Sequence, residues 1–421
     1  MRNIKLFIFF FLSFFSVYVN QTAKNEEGIP LEIIIFIHGA ISTSWKAPLL
    51  YFFQFMKDDI SGTIYEKIAS SIRKDDFFHQ NQAIKELGLV GLNIEQVEKG
   101  NAAGGLGLLF DTILQELTPK NIIRRYYTYG WQGHFTKKAR QKDAAIFYEV
   151  LLNECKKLTA QGFTPKFKLI GYCHGAQMIT QLGKVHKKSL KNNPDINFTL
   201  DEIILLAMPV SPDTATLLSS PFFKKIYHIF STKDRIQKID IFVTKTFIGP
   251  REITVKNPEL AKKLVQIELK VKKYLHQNKE KINLNKTKHL VGHKRYWKNI
   301  SPGHIELWFF GWTPDNYRSH LSFYPLPGLI FIPHIVHLIE QEADFFDPYH
   351  KIIADVRPDF ETILLRQHTH NKKWRFKIKP LFSNKKINLQ FLKDLAHTFA
   401  PDKYHTISEY KKRIASHSQM I

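Results

Sequence analysis

The sequence predicts an α/β protein: a mostly parallel, twisted sheet with helices on both faces. Three observations predict it. Leu31-Glu32-Ile33-Ile34-Ile35-Phe36-Ile37 is a short, nearly continuous apolar run, the pattern of a parallel strand buried on both sides. Comparable runs recur at Phe167-Lys168-Leu169-Ile170, at residues 202–208 and at residues 225–230. Shortly after the 167–170 run, residues 176–182 read as a helix. Residues 127–131 read as a further core strand and its exit.

Composition agrees with that class. A chain of 421 residues suits one α/β domain with insertions, and 44% apolar content with 34 Phe supports a large aromatic core. Only two cysteines, Cys155 and Cys173, are present, which excludes a disulfide framework. Cys155 falls in the predicted helix before the 167–170 strand, where a buried inert thiol is expected. No metal-ligand spacing occurs, and Gly100, Gly104, Gly105 and Gly107 fit neither a phosphate loop nor a dinucleotide fingerprint. No cofactor is expected.

The strand at 167–170 runs into Gly171-Tyr172-Cys173-His174-Gly175. Glycine on each side of a central nucleophile permits the sharp strand-to-helix turn that lifts a side chain above a sheet. The first strand ends in His38-Gly39-Ala40, where backbone N–H groups can meet such a side chain. Together these segments resemble the α/β-hydrolase superfamily over residues 30–345. The cysteine elbow is similar to those of dienelactone hydrolases and polyhydroxyalkanoate synthases, although Ala176 stands where both usually carry a further Gly. The His38-Gly39 pair looks more like lipases and esterases.

The resemblance implies a nucleophile, an acid and a histidine in that chain order. Cys173 is the expected nucleophile, and the N–H groups of His174 and of Ala40 or Ile41 are the expected oxyanion donors, with His38 and Gly39 beside the substrate. Residues 231–236 look like the acid turn and offer Asp234; Asp213 is the reserve, and Asp240 is less well placed. For the histidine, residues 305–310 read as the last strand, so His320 in the following loop is chosen. His304 precedes that strand and is expected at the wrong edge; His334 and His337 fall inside a helix-forming stretch at 326–340. The implied activity is cleavage of carboxylic esters or thioesters, on a small-molecule or lipid-like substrate, through an acyl-cysteine. The alternatives are an inactive protein of the same fold that binds lipid or a protein partner, and a cysteine-dependent acyltransferase.

Charge and targeting complete the reading. Arg2 and Lys5 precede an uncharged apolar run at residues 6–19, so residues 1–23 read as a signal peptide or N-terminal anchor and the domain as exported. The net charge is +23. Residues 251–300 hold 14 Lys/Arg against 4 Asp/Glu, and residues 350–421 hold 15 against 6. The first region reads as a basic, lid-like insertion, with Leu260, Leu264, Ile267, Val271 and Tyr274 on one face of an amphipathic helix. The second, residues 346–421, reads as a basic C-terminal extension whose 372–379 segment suits an edge strand. For the first, a helix packed on the body with its lysines exposed is slightly favoured over a lid or a surface that docks on anionic lipid. For the second, anionic membrane or envelope polymer is the expected partner, at about 1 kcal/mol per basic residue near it, and nucleic acid is disfavoured for an exported chain.

Overall fold

Alternation within the first apolar run sends successive side chains to opposite sides of a central sheet. Leu31, Ile33, Ile35 and Ile37 enter one core, whereas Ile34 and Phe36 enter the other. The computed structural model describes residues 28–41, 62–118, 122–196, 198–238, 250–274, 297–312, 321–341, 351–367, 384–403 and 407–419. Its first half comprises β1 (Ile29–Ile37), α1 (Ile64–Lys74), α2 (Asp76–His79), β2 (Gly88–Gly91), α3 (Ala102–Leu117), β3 (Ile123–Gly130) and α4 (Lys137–Ala160). The middle comprises β4 (Phe163–Tyr172), α5 (His174–Asn192), β5 (Leu200–Leu206), α6 (Thr214–Leu218) and β6 (Phe223–Phe230). Next come α7 (Pro258–Ala261), β7 (Leu264–Tyr274), β8 (Trp297–Asn299), α8 (His304–Trp308) and α9 (Ile332–Gln341). The chain then forms β9 (Lys351–Arg357), β10 (Thr362–Gln367), β11 (Asn384–Lys386), α10 (Leu389–Thr398) and α11 (Ile407–Gln419).

The sheet runs β11-β10-β9-β7-β6-β5-β4-β1-β3-β2, with β8 paired to β7 off this path. Every neighbouring pair from β3 through β9 is parallel, and antiparallel pairs occur at the two ends and at β8. One core packs α4 and α5 against the sheet, and the other packs α3, α9 and α10. This is the expected mostly parallel α/β architecture. Strand order reverses at β1, which lies between β3 and β4. The ends of β1 and β4 therefore flank the crevice where such sheets hold ligands.

Three expectations need correction. Leu264–Tyr274 is a central strand, not a lid helix. The spacing of 264, 267, 271 and 274 suits a helix. Ile267, Leu269 and Val271, however, alternate into one core, and the β-branched residues favour the pleated surface. Residues 275–296 of the lid-like insertion lie outside the described residues. The sheet also continues past residue 345, because β9 pairs with β7 and β10 with β9; the C-terminal region builds part of the domain, while its 372–379 segment lies outside the described residues. Finally, 305–310 is not a strand: α8 occupies most of it, started by the Pro302-Gly303 break.

Part of the basic charge of residues 251–300 and 350–421 is used internally. Asp355 is completely buried on β9 and meets Lys272 at 3.0 Å, Arg366 at 3.1 Å and Arg357 at 3.2 Å. Lys270 pairs with buried Glu268 at 3.1 Å. No helix among the described residues is long and apolar enough to cross a membrane; residues 1–23 lie outside them.

Candidate functional site

Cys173 sits between the end of β4 and the start of α5, with φ 52° and ψ −122°. A non-glycine residue pays strain of about 1–3 kcal/mol for such a conformation, and strain of this size collects at functional sites. The N–H of Cys173 donates to Leu206 O at 2.9 Å, tying the corner to β5. Two glycines let the neighbouring chains close on it. A Cβ on Gly175 would stand 2.2 Å from His38 O, and one on Gly39 would stand 3.1 Å from Cys173 Cβ. The exit of β1 is thus pressed against the cysteine, as the Ile37–Gly171 register requires.

The N-termini of α1 and α4 are capped by Thr63 and Thr136, whereas α5 has no side-chain cap bond. Its first N–H groups have no partner within the helix and open beside the sulfur. Ala40 and Ile41 follow Gly39 on the opposing chain, and Ile41 is buried. Of the predicted oxyanion residues, His174 directly follows the cysteine, and Ala40 and Ile41 directly follow Gly39, which abuts it.

Arg73 donates to His38 Nε2 at 2.8 Å, so Nδ1 carries the proton and donates to Gly39 O at 2.6 Å. Trp131 Nε1 donates to the His38 carbonyl at 2.8 Å. Burial, reinforced by the Arg73 charge, holds the ring well below the ordinary histidine range. His38 is a neutral brace for the β1 exit, with both ring nitrogens occupied. The His174 ring is neutral too. Burial and the nearby Arg140 guanidinium push it down to about 3.

Asp234 lies in the turn after β6, as its place in the sequence implied, and is fully buried. Its Oδ1 accepts the Gln237 N–H at 3.0 Å. Its Oδ2 accepts from a histidine at 2.7 Å, and that histidine is His304. His320 lies outside the described residues. Residue 304 reaches the site because Ser231 Oγ donates to Pro302 O at 2.6 Å, fastening its loop to the acid turn. The Tyr172 hydroxyl donates to His304 O at 3.0 Å, and the two rings lie 4.8 Å apart. Trp308, one turn along α8, stacks on Tyr172 at 5.1 Å with planes 9° apart.

Burial of His304 opposes its charge. The neighbouring Cys173 sulfur and the Asp234 carboxylate more than offset that, and the imidazolium is pushed up to about 10. Cysteine, imidazole and carboxylate thus come from the β4–α5 corner, the start of α8 and the turn after β6. The reserve Asp213 instead bonds Ser211 at 2.7 Å and pairs with Lys137; Asp240 lies outside the described residues. Cys155 and Cys173 are both free thiols. His334 is buried within α9. The signal for His304 in the sequence is the Ser301-Pro302-Gly303 break, which places a loop directly before the residue.

Among the described residues no cluster of His, Cys, Asp and Glu could hold a metal ion. No protein-family model matches the chain, and no curated protein matches it in sequence. Among solved structures the chain is similar to phospholipase PlaB from Legionella pneumophila, in a complex with thio-NAD. Identity is 12%, the match covers 58% of this chain and 47% of that one, and the TM-score is 0.25. The chain thus spans about half the length of that phospholipase, 47% of it.

Proposed function

We propose that the chain is a cysteine hydrolase that cleaves carboxylic esters or thioesters through an acyl-cysteine. What supports the reading is that the His304 imidazole, bonded to the Asp234 carboxylate at 2.7 Å, lies close enough to the Cys173 sulfur for that sulfur to favour its charged form. His304 takes the general acid–base role, with Asp234 orienting its ring.

With the proton on His304, the Cys173 thiolate attacks the acyl carbon. The oxygen of the tetrahedral adduct receives N–H bonds from His174 and from Ala40 or Ile41. Collapse breaks the bond to the leaving alkoxide or thiolate, which takes the His304 proton. Neutral His304 then removes a proton from water, and the hydroxide adds to the acyl-cysteine. Release of the carboxylic acid restores thiolate and imidazolium. A thioester suits this cycle because its leaving group is about as weak a base as the attacking sulfur.

The aromatic surroundings favour a lipid-like acyl group: Phe135 lies edge-on to His174 and Trp308 stacks on Tyr172. The basic start and apolar run at residues 1–23 support an exported or membrane-anchored location, with anionic lipid as a neighbouring surface.

The test is an acyl chain-length panel of esters and thioesters, with wild type beside Cys173→Ala and Cys173→Ser. Expected are turnover by the wild type, an acyl mass adduct on the Cys173 peptide, and a loss of about 10³-fold or more in Cys173→Ala. Equal turnover in wild type and Cys173→Ala, or none in either, overturns the proposal. Turnover that depends on an added alcohol or thiol acceptor reassigns the same site to acyl transfer.

A further inference from the structure

The C-terminal helix α11 belongs to the basic extension, yet two of its basic side chains, Arg413 and His417, are spent on the protein itself. His417 is buried, and its two ring nitrogens bridge α1 and the α1–α2 junction. Nε2 donates to Asp75 Oδ2 at 2.8 Å, which leaves Nδ1 to accept from Ser71 Oγ at 2.6 Å. Arg413 donates to Asp75 Oδ1 at 2.9 Å and lies 5.1 Å above the Phe77 ring. Asp75 also accepts the Phe77 N–H at 3.0 Å and so caps α2. One carboxylate thus joins α1, α2 and α11.

From α1 the connection runs to the proposed oxyanion turn. Arg73, two residues before Asp75, donates to His38 Nε2 at 2.8 Å, to Lys85 O at 2.8 Å and to Trp131 O. His38 holds the Gly39 carbonyl, and Gly39 abuts Cys173. An apolar contact runs in parallel. Ile41 shares a small core with Ile68, Ile72, Phe77 and Phe78, and Ile414 of α11 packs against that core. The turn needs such a brace because the chain leaves the strand ladder after Ile37.

We propose that α11 is an intramolecular clasp: Arg413 and His417 are positioning residues that act through Asp75 and Arg73 on residues 38–41. The proposal rests on the acyl-cysteine reading of the site. It assigns this part of the extension to the site's own geometry and not to a membrane.

The test is the full-length Arg413→Ala/His417→Ala variant beside wild type, with Lys412→Ala, an exposed change on the same helix, as the control. Alkylation of Cys173 by iodoacetamide develops no oxyanion, whereas ester cleavage does. With the donors displaced, kcat should fall about tenfold while KM and the alkylation rate stay within about twofold, since sub-ångström to 1 Å misplacement costs one to two decades. Hydrogen exchange should quicken across residues 64–74 and 38–41, Lys412→Ala should match wild type, and Arg413→Lys with His417 intact should recover most of the loss. Unchanged kcat and exchange overturn the clasp, and so does an alkylation rate that falls in step with kcat, which marks general loosening. If the wild type turns over no ester, the acyl-cysteine reading fails separately, and exchange at residues 38–41 alone decides whether the clasp exists.

Discussion

The corner that carries Cys173 and the loop that carries His304 meet in space, but they are specified in opposite ways. The corner is set within a few residues: Gly175 admits the His38 carbonyl, and the start of α5 fixes the backbone at φ 52°. The loop has little of its own. Its histidine is held by Asp234, 70 positions away, and by Tyr172, 132 positions away. A nucleophile whose geometry is written locally can be recognised from a pentapeptide. A general base whose position depends on tertiary partners cannot, and the difference makes the loop the place where the site is most easily broken.

The largest test of that contrast replaces the imidazole. His304→Ala should lower ester turnover by about 10⁶-fold, the loss seen when the histidine of such a set is removed. His320→Ala should stay within about twofold of wild type on the same scale. Steady-state kinetics of the two variants decide the matter, and the reverse ranking would return the general base to the later loop.

Asp234→Asn comes next, with an expected loss in kcat of about 10⁴-fold and a change in pH profile. The acid role of His304 needs the imidazolium, which persists up to about 10 in the wild type. A carboxylate favours that cation and a neutral amide does not, so the substitution lowers the histidine pKa. The alkaline limb of kcat should therefore move toward neutrality. A limb left near its wild-type position would mean that Cys173, and not Asp234, dominates the field at the ring.

The same distinction between local and distant constraint explains what the amino-acid sequence disclosed. The buried strands β1, β4, β5 and β6 are legible because continuous apolar runs have few other uses. Asp234 is legible because a turn after a parallel strand is a recurrent place for a functional carboxylate. β7 is misread because its apolar residues satisfy periods of both 3.6 and 2. Only the slot between β6 and β9 decides between them. The basic extension looks like a surface because composition counts charges without pairing them. The buried Asp355 carboxylate, with Lys272, Arg357 and Arg366 around it, is invisible until β7, β9 and β10 come together.

Tyr172 belongs to both regions at once, and it offers the finest test. It is the residue before the nucleophile, yet its hydroxyl and ring hold the histidine loop. Tyr172→Phe deletes the bond to the His304 carbonyl and keeps the ring stacked between His304 and Trp308. A net hydrogen bond is worth about 0.5–1.5 kcal/mol, so kcat should fall about three- to tenfold, with KM little changed. Cys173 alkylation should slow in parallel, because the imidazole that faces the sulfur is what the bond secures. Were the ring alone sufficient to seat His304, neither rate would move, and the loop would owe its position to Asp234 and the Ser231–Pro302 bond. A loss in kcat with a wild-type melting temperature would instead show that the strand end that presents the sulfur also sets the base that serves it.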